Sequence, residues 1–128
     1  MPRKLVSSGS YLEPIIGFSR AVRVGDVITV AGTAPIAAGG GNACIGDAYG
    51  QMKRCIAIAE KAIRDAGGEL RHAVRTRILL TDIAHFEAAA RAHGEAFATI
   101  RPATTVMAVT AFVDPDWLIE LEVDCIVD

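Results

Sequence analysis

Three carboxylates stand at alternate positions near the end of the chain, Glu120, Glu122 and Asp124 in "WLIELEVDCIVD". In an extended segment alternate side chains share one face. Neighbouring carboxylates repel, and one that also loses water has its pKa raised, which is a route to a general acid or base near neutral pH. The competing reading is a solvated edge whose acids keep the protein soluble or pair with Arg75 and Arg77. A second constellation lies upstream. In "FATIRPATTVMAVTAF" Arg101 and Pro102 lead into ten residues without charge, beginning Ala103, Thr104 and Thr105. Arg101 is either a hand for an anionic ligand or the polar end of a strand, forming a salt bridge or capping helix carbonyls. Pro102 is expected to hold it extended. Thr104 and Thr105 offer hydroxyls to a polar ligand, although threonine's liking for strands also accounts for them. Arg20 is a weaker candidate, otherwise a surface strand arginine.

The totals restrict what these groups can serve. A chain of 128 residues suits one domain, residues 1–128, and 52% hydrophobic with 5% aromatic residues requires an aliphatic, alanine-rich core. Thirteen basic against fifteen acidic residues give a net charge of -2, which offers no basic face for nucleic acid and no polybasic membrane patch. The opening "MPRKLVSSGS" lacks the apolar run of a secretory signal, and no stretch approaches a membrane span. Cys44, Cys55 and Cys125 are odd in number and share no metal-ligand spacing, so we expect reduced thiols, a cytoplasmic location, and no metal or cofactor.

The positioning elements follow from periodicity. "KLVSSG" suggests a short edge strand. "SRAVRVGDVITVAGTAP" reads as a hairpin turning at Gly25–Asp26, followed by a glycine-rich loop over 35–46. Residues 47–68 carry a helical stripe of Ala48, Met52, Cys55, Ile56, Ala59, Ala62, Ile63 and Ala66, with Asp47 as N-cap and Gly67–Gly68 as stop. "HAVRTRILLTD" is expected to be a strand with Val74, Thr76, Ile78 and Leu80 on one face. A second helix over 81–100 would start at Thr81 or Asp82 and face Ile83, Phe86, Ala90, His93 and Phe97 inward. His72 and His85 read as surface positions.

Two strands close the chain. The last alternates strictly, with Trp117, Ile119, Leu121, Val123, Cys125 and Val127 on its apolar side. The stretch 103–112 does not alternate, since neither side is polar enough for water. Two helices cover only one face of such a sheet, so the other face calls for a second copy of the chain and an obligate oligomer.

In this βββαβαββ order, "GFSRAVRVGDVITVAGTAP" and "RPATTVMAV…IELEVDC" resemble the Rid (reactive intermediate deaminase, YjgF) family over nearly the whole chain. The resemblance implies an α+β, chorismate-mutase-like subunit with a mixed sheet and two helices on one face. It also implies a homotrimer around a central β-barrel, with small-metabolite clefts between subunits. Members of the family hydrolyse imines and enamines derived from amino acids. The family glutamate thought to orient water corresponds to Glu120. Gly32 of "AGTAP" lines the cleft with its main chain, Thr33 beside it counts among the binding residues, and the Val106 main chain would position substrate. The family's carboxylate-gripping arginine falls at Thr104, and a family tyrosine at Phe18, so both groups are replaced.

The resemblance therefore implies an imine or enamine hydrolase whose substrate differs from the usual 2-imino acids. Phe18, Gly32, Thr33, Arg101, Thr104, Thr105 and Val106 would bind substrate, and Glu120 would be catalytic. The alternative is a trimer of the same fold that binds a metabolite without turning it over. A ribonuclease activity, which old labels attach to the family, fits poorly with the net charge of -2.

Overall fold

The computed structural model describes residues 2–128. Six strands and three helices follow the order β1 (Arg3–Val6), α1 (Leu12–Ile16), β2 (Ala21–Val24), β3 (Val27–Thr33), α2 (Ala48–Asp65), β4 (Ala73–Leu80), α3 (Phe86–Phe97), β5 (Ala103–Ala108), β6 (Ile119–Ile126). The strands form one sheet ordered β1-β2-β3-β6-β4-β5. Only β4 and β5 run parallel, as expected for two strands joined through a helix; the other pairs are antiparallel. The expected α+β order holds, with α1 as an addition. Five residues are too few to register as a helical period. Gly17, in the left-handed region at φ 87, ends that helix.

All eight residues of the α2 stripe are buried, packed on the inner sheet face with Ile28, Val30, Ile78, Leu121 and Val123. The side chain of Asp47 accepts from the Gly50 N–H at 3.1 Å, supplying the expected cap. The hairpin turns at Gly25 with φ 60, the positive φ that a primed turn requires. Strand β6 buries Ile119, Leu121, Val123 and Cys125 against the helices. Glu120, Glu122 and Asp124 face the other way.

Four expectations need correction. Val74 is exposed because the β4–β6 register shifts between Ala73 and Arg75, throwing it out of step with Thr76, Ile78 and Leu80. Ile83 and Phe86 are exposed as well. A 3-10 turn over Ile83–His85, capped by Asp82, breaks the phase before α3, which buries Phe97 as expected and, with it, Ala89 and Ala92. His72 is buried, with Nε2 3.0 Å from Asp128 and Nδ1 accepting from the Glu69 N–H at 2.9 Å. Lastly, β5 ends at Ala108 rather than Phe112: Val109 donates to the Leu80 carbonyl at 2.7 Å and the chain then leaves the sheet.

The outer sheet face carries no helix. It exposes Leu5, Val24, Val27, Met107 and Ile126 beside the carboxylate row. Strand β5 is an edge strand, and within one chain Ala103, Thr104, Met107 and Ala108 are exposed on both of its faces.

Candidate active site

The carboxylate row divides by partner. Arg77 Nη1 lies 3.3 Å from both Glu122 Oε1 and Asp124 Oδ2, and Thr29 donates to Asp124 at 2.6 Å. Arg75 takes no part, since its Nη2 donates to Thr105 Oγ1 at 2.7 Å. The ion-pair reading of the row therefore holds for two acids and fails for the third. Among the described residues Glu120 has no hydrogen-bond or ion-pair partner. It is half-buried, and burial pushes its pKa above the usual carboxylate value; Arg20 opposes the shift and Glu122 adds to it. An unpartnered carboxylate that holds its proton more tightly than usual is what a general base needs.

Space for Glu120 comes from Gly32. Between Val30 and Thr33 the β3–β6 register slips, so two residues of β3 stand against one of β6. A Cβ built on Gly32 would sit 2.9 Å from Glu120 Oε1. Gly32→Ala is therefore expected to displace the carboxylate while costing little stability, since a flexible side-chain end can move. Activity should fall by at least about tenfold with a melting temperature within a few degrees of the parent. Steady-state kinetics beside a thermal melt check this.

Behind Gly32 stands Arg20, which the sequence reading placed on the surface. It is only 4% exposed. Its Nη1 donates to the Gly32 carbonyl at 2.6 Å and to Thr33 Oγ1 at 3.2 Å, and its Nε donates to Ser8 Oγ at 3.2 Å. Glu13 Oε2 lies 4.0 Å from Nε, and the guanidinium sits 5.2 Å over the Phe18 ring. Phe18, Arg20, Gly32 and Glu120 thus form one cluster at the β2–β3–β6 side. Thr33 belongs to its support rather than to a binding surface, because its buried hydroxyl is spent on the Ala31 carbonyl at 2.7 Å and on Arg20.

The remaining candidates lie elsewhere. Glu120 pairs across β4 with Leu79, which pairs with Met107 on β5. Thr104 is three residues from Met107 and points to the opposite face of the sheet. That puts it about 10 Å along the strand and about 10 Å sideways from Glu120. On its own face Thr104 Oγ1 lies 2.7 Å from Thr76 Oγ1, which lies 2.9 Å from His93 Nε2. Burial lowers the His93 pKa, so the imidazole is neutral at pH 7. Thr105 faces outward on the same strand, and the half-buried Val106 packs against the core. Arg101 is not extended. It takes φ 60, its N–H donates to the Phe97 carbonyl at 2.9 Å at the end of α3, and its exposed side chain borders a shallow recess with His93 and Pro102. Within one chain Phe18, Gly32, Thr33 and Glu120 therefore lie together, while Arg101, Thr104, Thr105 and Val106 lie on or just before β5, two strands away from Glu120.

A profile of the family described as Endoribonuclease L-PSP matches residues 9–127. The chain belongs to this family, also called YjgF or Rid. Proteins similar to it include an uncharacterized protein of Streptomyces coelicolor, 39% identical over 121 residues, covering 93% of this chain and 88% of that one. The 3-aminoacrylate deaminase RutC of Acinetobacter baylyi is 26% identical over 121 residues, covering 94% and 95%. Among solved structures, a YjgF/YER057c/UK114 family member from Mycobacterium tuberculosis superimposes with a TM-score of 0.89 at 39% identity, covering 98% of this chain and 100% of that one. The mixed six-stranded sheet with its helices is thus the YjgF-family fold. No helix among the described residues is long and apolar enough to cross a membrane, and no cluster of three or more His, Cys, Asp or Glu could hold a metal.

For a YjgF-family chain, the residue that sequence reasoning undervalued is Arg20. The available signal was a lone carboxylate, Glu13, and a guanidinium seven positions on, among Ser7, Ser8 and Ser10. Their contact is tertiary and has no period.

Proposed function

We propose that the protein is an imine or enamine hydrolase that works in clefts between copies of itself, with Glu120 as the base. The observation that carries this reading is Glu120 itself: half-buried, unpartnered, and given its space by Gly32. In the reaction a water adds to the imine carbon while the Glu120 carboxylate takes its proton. The carboxylic acid passes that proton to nitrogen, giving a neutral carbinolamine; the carboxylate then takes the hydroxyl proton and delivers it to nitrogen as the C–N bond breaks, so that the carbonyl forms and ammonia leaves. An imine carbon is already electrophilic, so one oriented carboxylate in a cleft poor in water suffices.

The second group of residues argues for assembly. An exposed edge strand and an uncovered face bearing Leu5, Val24, Val27, Met107 and Ile126 are liabilities in a lone chain. A sister copy laid across them, in a homotrimer, would bring its Thr104, Thr105 and Val106 toward Glu120. The activity printed for the RutC relative, deamination of 3-aminoacrylate, is consistent with this chemistry.

Thr104 sets the substrate class. Tied to Thr76 and through it to a neutral His93, it presents a hydroxyl and no charge, so position 104 itself offers a carboxylate no cation. A charge-assisted hydrogen bond contributes about 1.5–3 kcal/mol, so a small 2-imino acid is disfavoured by roughly ten- to a hundredfold. Ammonia release from freshly generated imines tests both points. The parent is expected to accelerate neutral imines, and Thr104→Arg to gain about tenfold or more on 2-imino acids. A parent that hydrolyses 2-imino acids as well as the variant does contradicts the assignment of Thr104, and no acceleration on any imine contradicts the activity.

A further inference from the structure

A cavity of about 560 Å³ opens on the helix side of the sheet, between the segment 7–11, the loop 34–42 and the outer flank of α2. Glu120, Gly32 and Phe18 do not line it; of the Glu120 cluster and its support only Arg20 and Thr33 do, and the Thr33 hydroxyl is already spent. Its volume falls in the range of small-molecule sites. We propose that this cavity is a second ligand site, taking a small carboxylate gripped by Arg54.

Arg54 carries the assignment. Its Nε donates to the Ile36 carbonyl at 2.7 Å, which fixes the plane of the guanidinium between α2 and the loop. Neither terminal nitrogen has an acceptor among the described residues, and Arg54 forms no ion pair there. A guanidinium held by Nε with both terminal nitrogens open is the fork that a carboxylate meets bidentately. Of the other charges lining the cavity, two pair with each other and a third is hydrogen-bonded. Lys61 is paired with Asp65 at 2.8 Å, and Asp114 is held by the Asn42 amide at 3.0 Å and the Asp116 N–H at 2.9 Å.

A second buried cation stands at the inner wall. Arg20 also lines the cavity, and its Nη2 makes no hydrogen bond among the described residues although the residue is only 4% exposed. Its nearest carboxylate, Glu13, is at 4.0 Å. Part of the lining is apolar, Ala37, Ala57, Ile58 and Ala62 among it, beside the serines of 7–10, so the far end of a short aliphatic acid has a wall to lie against. Gly39, Gly40 and Gly41 all take positive φ, which lets the loop cross the mouth without side chains that would fill it.

Amide chemical-shift mapping on the full chain tests this with succinate, inorganic phosphate and succinamide at millimolar concentration. Succinate should shift the amides of 37–42 and 54–61, and succinamide should not. Arg54→Gln should weaken succinate by about tenfold or more. Arg54→Lys, which keeps the charge but loses the fork, should also weaken it, while Glu120→Gln leaves it unchanged. Phosphate binding as tightly as succinate, succinamide binding as tightly, shifts confined to 103–106 and 120, or an Arg54→Gln protein that binds like the parent each overturns the proposal.

Discussion

Glu120→Gln is expected to remove imine hydrolysis by about a hundredfold or more while the protein keeps its melting temperature. General-base catalysis by a positioned carboxylate contributes on the order of 10² to 10⁴. The isosteric amide keeps the shape against Gly32 but cannot take a proton. The stability side has a definite sign. A carboxylate whose pKa is raised by folding stabilises the fold at low pH, and that contribution is lost as pH rises through the raised value. Once ionised, Glu120 therefore works against the fold, and above that titration the amide should hold or slightly raise the melting temperature. The parent's rate should rise with pH through an inflection above the ordinary carboxylate value of 4.5. Activity against pH, with a melt of each variant, checks all three; a variant that retains parental activity removes Glu120 from the mechanism.

Arg20→Met should have the largest effect on stability. The substitution keeps most of the volume but deletes bonds to Ser8, Gly32 and Thr33. It also removes the cation 4.0 Å from Glu13, a buried carboxylate that keeps its hydrogen bonds from Ser8 and Ser10. Burial pushes the Glu13 pKa up, but hydrogen bonds, that from the Ser8 hydroxyl foremost, outweigh this and keep it below the usual carboxylate value. A hydrogen bond from a charged donor contributes about 1.5–3 kcal/mol, so losing the three together costs upward of about 4 kcal/mol, which for a domain of this size lowers the melting temperature by roughly 10–20 °C. The Glu120 pKa should rise further, because Arg20 is the cation that opposes its shift. Thermal unfolding and the pH–rate inflection measure the two effects separately. A melt unchanged within a few degrees would mean that Arg20 is not the strut described.

Much of the fold was legible because burial here is periodic. The stripe on α2 and the alternation on β6 each repeat over more than two turns or pleats, and every residue assigned to them is buried or half-buried. Errors fall where the period is interrupted. A bulge turned Val74 outward, a 3-10 turn put Ile83 and Phe86 out of phase with α3, and His72 was drawn inside by Asp128, 56 positions away.

The site was legible in its parts and not in its arrangement. Glu120 stood out as one of three alternating acids, but only tertiary contacts show that Arg77 neutralises the other two and leaves it alone. Thr104 and Thr105 were candidates by type. Which of them faces α3 follows from the pairing of Thr104 with Thr76 and Thr105 with Arg77, a register set by β4 rather than by β5 itself. Arg101 was expected to extend before Pro102, yet the end of α3 holds it in the left-handed region through the Phe97 carbonyl.

Mixed assemblies test the central claim most directly. One variant, Glu120→Gln, lacks the base; a second, Thr104→Trp, fills the exposed strand edge that a neighbouring copy would supply. If each cleft takes Glu120 from one chain and the 104–106 edge from the next, unfolding and refolding the two inactive proteins together should restore about a quarter of parental activity, the share of clefts that draw both good halves in random trimers. Co-assembly confirmed by mass with no recovered activity, or parental turnover by a single-chain species, contradicts the account.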